Sequence, residues 1–298
     1  MKHSFYEANA RQRLLGLLDT GSFHELLPPN ERAVSPHLPQ LDAPVAFDDG
    51  VIVGKGTLAG RAILAASQEG GFMGGAVGEV HGAKLTGLFE RAIDEHPAAV
   101  LLLLESGGVR LHEANAGLIA VSETMRALLN ARAAGITVIG LIGSTYGCFG
   151  GMGLVARCCD VIIMSEEGRL GMSGPEVIET AHGVEEFDSR DRALVWRTVG
   201  GKHRYLLGEA DQLVEDDIAA FRGAAIEALG AGRPLTVDAM LAEHSMLTQR
   251  LARFGQCKDA LDIWRELGIA EPGAIPLLDT GDFLVAAAGV RTRFEKAG

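Results

Sequence analysis

The first 147 residues of this 298-residue chain contain no cysteine. The four that follow, Cys148, Cys158, Cys159 and Cys257, include no C-x-x-C pair. This usage excludes a disulfide framework and a zinc knuckle, and it predicts a reduced, cytoplasmic setting. Cys158 and Cys159 lie in an apolar stretch and read as small buried hydrophobes. Long hydrophobic runs are also missing, since none approaches the roughly 20 residues that cross a bilayer. The start, residues 1–19, mixes both charge signs and lacks the apolar core of a secretory signal; it reads as an amphipathic helix ending near Gly21. Basic residues are scarce: 27 Lys and Arg stand against 39 Asp and Glu, a net charge of −12. That balance argues against nucleic acid or an anionic membrane as partner, although a local basic patch for a small anionic ligand stays open. At 47% hydrophobic and 22% charged the composition is that of a soluble globular protein.

Residues 22–44 carry five prolines and no helical period, which predicts an extended connector. Residues 51–68 read as two strands joined by a glycine-marked turn. A glycine-rich start at Gly71 leads into a helix that ends near His96-Pro97. "AAVLLLLES" reads as a parallel strand buried on both faces. Leu111, Ala114, Leu118, Val121, Met125 and Leu128 keep helical spacing, predicting a helix over 111–134 with these residues inward. A second buried strand spans 136–143, a glycine-led helix follows at Phe149, and 160–174 read as strand, turn and short strand. The middle of the chain thus alternates strand and helix, an α/β class with parallel crossovers. Beyond Glu209 the chain is mostly helical, with helices expected near 215–232, 237–253 and 257–267. Three regions result: an N-terminal helix and proline-rich connector at 1–44, a core at 45–230, and a helical extension at 231–298.

Two glycine pairs, Gly107-Gly108 and Gly150-Gly151, each follow an apolar strand and precede a helix. Open α/β sheets bind ligands at the carboxyl ends of their strands. Glycine there satisfies a tight turn, or leaves bare backbone N–H groups aimed at a developing negative charge. The residues alone leave both readings open.

The stretch 146–177, "YGCFGGMGLVARCCDVIIMSEEGRLGMSGPEV", resembles the second oxyanion segment of the crotonase superfamily and the hairpin after it. The block 65–118 contains F-M-G-G-x-x-G and S-G-G-x-R-x-x-E. It is similar to the carboxyltransferase β subunits of acyl-CoA carboxylases. Bacterial members of that branch carry an N-terminal four-cysteine zinc ribbon, which this sequence lacks. Without it, and with its proline-linked start, the chain most resembles the β-subunit family of biotin-independent malonate decarboxylases.

The resemblance implies a crotonase-like stacked ββα superhelix and decarboxylation of a malonyl thioester to the acetyl thioester and CO2. A related γ subunit and an acyl-carrier subunit with a pantetheine-type prosthetic group are the implied partners, with neither zinc nor biotin bound. It assigns Gly107 and Gly108, with Ser106, Val109 and Arg110, to the thioester carbonyl, and Gly150 and Gly151 to a second oxyanion site. Phe72, Met73, Gly74 and Gly75 would line the pantetheine entry. Glu176 falls where hydratases of the superfamily keep one acid–base glutamate, but Leu154 holds the place of the other. Leucine supplies no proton chemistry, so a hydratase is disfavoured. His81 and His112 read as surface or capping residues. Arg190, Arg192, Arg197, Lys202, His203 and Arg204 form a basic cluster, either a docking face for an anionic carrier or a solvated helix face. Two alternatives remain: the carboxyltransferase β subunit of a biotin-dependent carboxylase, and a non-catalytic binding subunit.

Overall fold

The computed structural model describes residues 3–296. The first helix, α1 (Ala10–Leu17), begins later than the amphipathic pattern suggests. Its start is fixed by a reciprocal cap: the Asn9 side chain accepts the Gln12 N–H, and the Gln12 side chain accepts that of Asn9. A short strand, β1 (His24–Glu25), interrupts the proline-rich connector. The expected hairpin is β2 (Val51–Leu58) and β3 (Arg61–Gln68), turned by Ala59 and Gly60, both at positive φ. Then follow α2 (Glu79–Glu95), β4 (Ala99–Leu103), α3 (Asn115–Ala133), β5 (Val138–Ile142), α4 (Gly150–Arg157) and β6 (Val161–Ser165). After these come α5 (Pro175–His182), α6 (Arg192–Val199), α7 (Gly201–Leu206), β7 (Gln212–Val214) and α8 (Ile218–Glu227). The C-terminal region holds α9 (Val237–Phe254), α10 (Ala260–Glu266) and α11 (Thr280–Lys296).

The strands form one seven-stranded sheet whose spatial order repeats the chain order, β1 to β7. Only the β1–β2 and β2–β3 pairs are antiparallel; the other pairs are parallel. Single parallel bridges, Val77 to Val109, Ser106 to Cys148 and Cys148 to Leu170, form a second narrow layer beyond the strand ends. Each turn of the core therefore contributes a long strand, a one-residue bridge and a helix, which is the ββα repeat. The run Leu101–Leu104 owes its uniform chemistry to this layering. Leu102 and Leu104 pack with Leu85, Phe89 and Leu128 of the α2 and α3 layer, while Leu101 and Leu103 pack with Leu14, Leu17 and Phe221 of the α1 and α8 layer. Full burial of each such leucine contributes roughly 1.5–3 kcal/mol.

The basic cluster at 190–204 divides: Arg190 and Arg192 are exposed, whereas Arg197, Lys202, His203 and Arg204 are engaged within the protein. Arg197 pairs with Asp259 at 2.9 Å, Arg204 with Glu209 at 2.7 Å, and Lys202 with Glu166 at 2.8 Å. Lys202 also donates to the Leu278 carbonyl at 2.6 Å, and the Trp264 indole donates to His203 Nδ1 at 3.1 Å. The contacts to Asp259, Trp264 and Leu278 fasten the C-terminal region to the core. No helix among the described residues is long and apolar enough to cross a membrane.

Candidate active site

The two glycine pairs meet. A Cβ at Gly150 would lie 2.9 Å from Gly108 Cα, and one at Gly151 would lie 3.3 Å from the Val109 side chain. Gly150 stands at φ +59° and Gly108 at φ +138°, conformations that side-chain-bearing residues rarely adopt. The sequence brings them together because β4 and β5 are adjacent and parallel, so both strands end at the same edge.

The expected bare amides are not those of Gly107 and Gly108. The Gly107 N–H donates to the Gly74 carbonyl at 2.8 Å, and that of Gly108 to Ser106 Oγ at 3.2 Å. The next residue differs. Val77 N–H donates to Gly108 C=O and Arg110 N–H donates to Val77 C=O, each at 2.9 Å. In such a bridge alternate amides point to opposite sides, so the intervening Val109 N–H faces away and has no partner among the described residues. At the second turn, the Gly150 N–H is taken by the Met172 carbonyl at 2.9 Å. Gly151 and Met152, in the first turn of α4, keep amides without a partner among the described residues, as helix starts do. Met152 is buried, whereas Gly151 and Val109 are partly exposed. The available donors are therefore Val109 and Gly151.

The helix expected over 111–134 begins at Asn115, because Ala114 takes φ +47° and ψ −125° and breaks the path. Leu111 and Leu118, expected inside, are 85% and 57% exposed. With Ile119, Leu154 and Met172 they leave an apolar rim on the segments that carry the two turns.

The loop at 72–75 abuts the first turn. Met73, Gly74 and Gly75 are all at positive φ, and a Cβ at Gly75 would lie 2.0 Å from the Glu105 carbonyl oxygen. Met73 and Gly74 are partly exposed. Phe72 instead packs against Gly50, with the Arg110 guanidinium 5.3 Å from its ring centre. Arg110 and Ser106, both expected at the substrate, are 1% and 0% exposed. Arg110 spends its side chain on Asp49 and Glu113, so its place is beneath the site. Glu176 is exposed in the first turn of α5, where its charge complements the helix start. His112 is exposed, but His81 is fully buried in α2, which corrects its surface reading. Burial, with Arg110 and Lys84 nearby, holds the His81 pKa down at about 3, so its ring is neutral.

A second buried charge pair was not anticipated. Arg13 of α1 reaches Glu105, at the end of β4, at 2.5 Å, and neither side chain exceeds 4% exposure. Glu105 also accepts the Gly70 and Tyr146 amides, each at 3.3 Å, joining both site loops to the N-terminal helix. The polar break after four leucines was the one signal of it in the sequence.

Two adjoining glycine turns at the ends of neighbouring parallel strands, each with an outward amide, define the carboxyltransferase type of crotonase-like fold. A carboxyl transferase domain model matches residues 4–225. The chain belongs to that family. It is 42% identical, over 95% of both sequences, to the malonyl-S-ACP:biotin-protein carboxyltransferase of Malonomonas rubra. Against the acetyl-coenzyme A carboxylase carboxyl transferase subunit beta of Fusobacterium nucleatum the identity is 32%, over 59% of each chain. Among solved structures it matches a chain of a Pseudomonas malonate decarboxylase hetero-tetramer in complex with malonate. That match has a TM-score of 0.81 and 40% identity, covering 87% of this chain and 95% of the other. The Pseudomonas malonate decarboxylase hetero-dimer matches with a TM-score of 0.67 and 36% identity, covering 85% and 97%. The family thus stands as the motifs implied, on the malonate decarboxylase side of the carboxyltransferases.

Proposed function

We propose that this chain is the carboxyltransferase-type subunit of a malonate decarboxylase, a carbon–carbon lyase component that works with a partner. Its substrate would be a malonyl thioester on the pantetheine-type arm of an acyl-carrier subunit. Breaking the bond between the α-carbon and the carboxylate releases CO2 and leaves the electron pair on the α-carbon and, by resonance, on the thioester oxygen. That enolate needs hydrogen-bond donors already in place rather than a nucleophile. The unpaired amides of Val109 and Gly151 at the two abutting turns carry this reading. Gly108 supplies a turn position without a side chain, over which a thioester can approach. Met73, Gly74 and Gly75 are suited to line the path of the pantetheine arm, and the enolate takes a proton to give the acetyl thioester. The exposed rim of Leu111, Leu118, Ile119 and Met172 suits coverage by a related γ subunit, as the hetero-oligomeric state of the Pseudomonas relatives supports.

A second reading has its own support. The Malonomonas rubra relative is named for transfer to a biotin protein, so the same enolate chemistry would hand the carboxyl group to biotin instead of releasing CO2. One assay separates the readings: CO2 release from malonyl-pantetheine by the chain co-expressed with its partner, without ATP or bicarbonate. Release that proceeds with avidin present supports the direct, biotin-free decarboxylase, and inhibition by avidin moves the assignment to transfer. No release from an assembled complex leaves a binding subunit only.

A further inference from the structure

Three charged side chains lie directly under the first glycine turn, each with no exposed side-chain surface: Arg110, Asp49 and Glu113. Arg110 Nη1 donates to both Asp49 carboxylate oxygens at 3.0 Å and to Glu113 Oε1 at 3.3 Å. Its Nη2 donates to the carbonyls of Asp49 and Ala76, each at 3.2 Å; only Nε lacks an acceptor among the described residues. The two carboxylates also serve α2, whose own N-cap, Gly78, has no side chain to offer. Glu113 Oε2 accepts the Glu79 N–H at 2.7 Å, and Asp49 Oδ2 accepts the His81 N–H at 3.0 Å. One guanidinium thereby joins the turn at Asp49, the loop at Ala76, the start of α2 and the segment after Val109. A Cβ at Gly78 would lie 2.2 Å from Glu113 and 2.3 Å from Arg110, so the packing leaves no slack.

The Val109 N–H owes its outward direction to the bonds that flank it, Val77 to Gly108 and Arg110 to Val77. Both partners in that ladder are tied to the charged group, Arg110 by its own side chain and Val77 through the Ala76 carbonyl. We propose that Arg110, Asp49 and Glu113 are positioning residues that fix the direction of the Val109 amide. This rests on the functional reading above for its catalytic consequence, though not for its geometry. Buried charge explains why the group is built this way: a planar guanidinium can satisfy two carboxylates and two carbonyls at once, which an ammonium point charge cannot.

Glu113→Gln and Arg110→Lys test this in the co-expressed complex by two readouts. The first is amide hydrogen exchange. The Val77 and Arg110 amides should exchange at least tenfold faster in Glu113→Gln, while those of β4 and β5 keep wild-type rates. The second is malonyl-pantetheine turnover. Here kcat should fall at least tenfold in each variant, with KM within threefold. Unchanged exchange at Val77 and Arg110 would overturn the proposal. So would a uniform acceleration across the sheet, which would mark a merely stabilising role, or a fully active Arg110→Lys. Should the wild-type complex release no CO2, the functional reading fails, and the exchange measurement still decides the positioning role.

Discussion

Replacing Gly108 by valine separates a turn glycine from a cleft glycine. Gly108 stands at φ +138°, so any side chain there carries backbone strain of about 1–3 kcal/mol. A typical domain has about 5–15 kcal/mol of stability, so folding and assembly should survive. The Cβ itself meets little, since its nearest contact is Gly150 Cα at 4.0 Å. The two γ-methyls of valine must then occupy the gap between the turns, where the thioester oxygen would sit against Val109 and Gly151. Losing one such donor typically lowers the rate roughly 10²–10³-fold, equivalent to about 2.7–4 kcal/mol; valine would block both. CO2 release from malonyl-pantetheine should therefore fall by at least about 10²-fold in a complex that still elutes as the assembled species. Gly107→Ala is the control. A Cβ there would lie 3.2 Å from the Gly74 oxygen, at an ordinary φ and facing solvent, so turnover should stay within a fewfold of wild type. Near-normal turnover in Gly108→Val would refute the cleft assignment and return Gly108 to a turn.

His81 and His203 are both buried, and burial first, then neighbouring cations, holds each pKa down at about 3 from 6.5. The unfolded chain takes up these protons below about pH 6.5 and the folded one only near 3, so stability should fall as pH drops through that window. Each histidine contributes up to about 1.4 kcal/mol per pH unit; urea midpoints measured from pH 7 to 4 should decline less steeply in His203→Gln, and an unchanged slope would contradict the assignment. Arg13→Met strands Glu105 as an unpaired buried charge, which should cost about 3–5 kcal/mol in denaturant unfolding; a loss under 1 kcal/mol would show that Glu105 is otherwise satisfied. Gly87, exposed on α2 with nothing within 4 Å of a Cβ, should stabilise the chain by roughly 0.5–1 kcal/mol when changed to alanine, and a lowered melting temperature would argue against an undistorted helix there.

The strands and crossovers were legible because four- and five-residue aliphatic runs bounded by glycine have few other uses. The family was legible because three glycine motifs stand in order at the right separations. What the sequence hid was direction. Helical spacing placed Leu111 and Leu118 inward, but the break at Ala114 turns them to solvent, and no local pattern marks a residue at φ +47° that is not glycine. The same limit applies at the turn: composition pointed to Gly107 and Gly108, yet their amides are taken by Gly74 and Ser106. Only the bridge to Val77, a partner some 30 residues earlier in the chain, makes Val109 the available donor. Arg110 showed a charge beside a glycine turn and read as a substrate contact. Its true partners, Asp49 and Glu113, carried no signal beyond a turn-like Asp-Asp-Gly and the last letter of a motif.

A sheet whose seven strands lie in the order of translation lends itself to assembly while the chain is still emerging from the ribosome. Each new strand finds its neighbour already made, and no strand must wait for a later one to be inserted between two others. Residues 3–6 are the exception. The His3 carbonyl accepts the Ile218 N–H, Ser4 and Tyr6 bind the Asp216 carboxylate, and Phe5 stacks on Phe221 at 4.0 Å. Residues 3–6 therefore gain these partners only after more than two hundred residues have followed them. Their closure comes late, and with it the final packing of α1, whose Arg13 holds Glu105 beside the glycine turns. Nascent chains stopped before residue 216 should carry a formed sheet core with residues 3–6 undocked and open to protease.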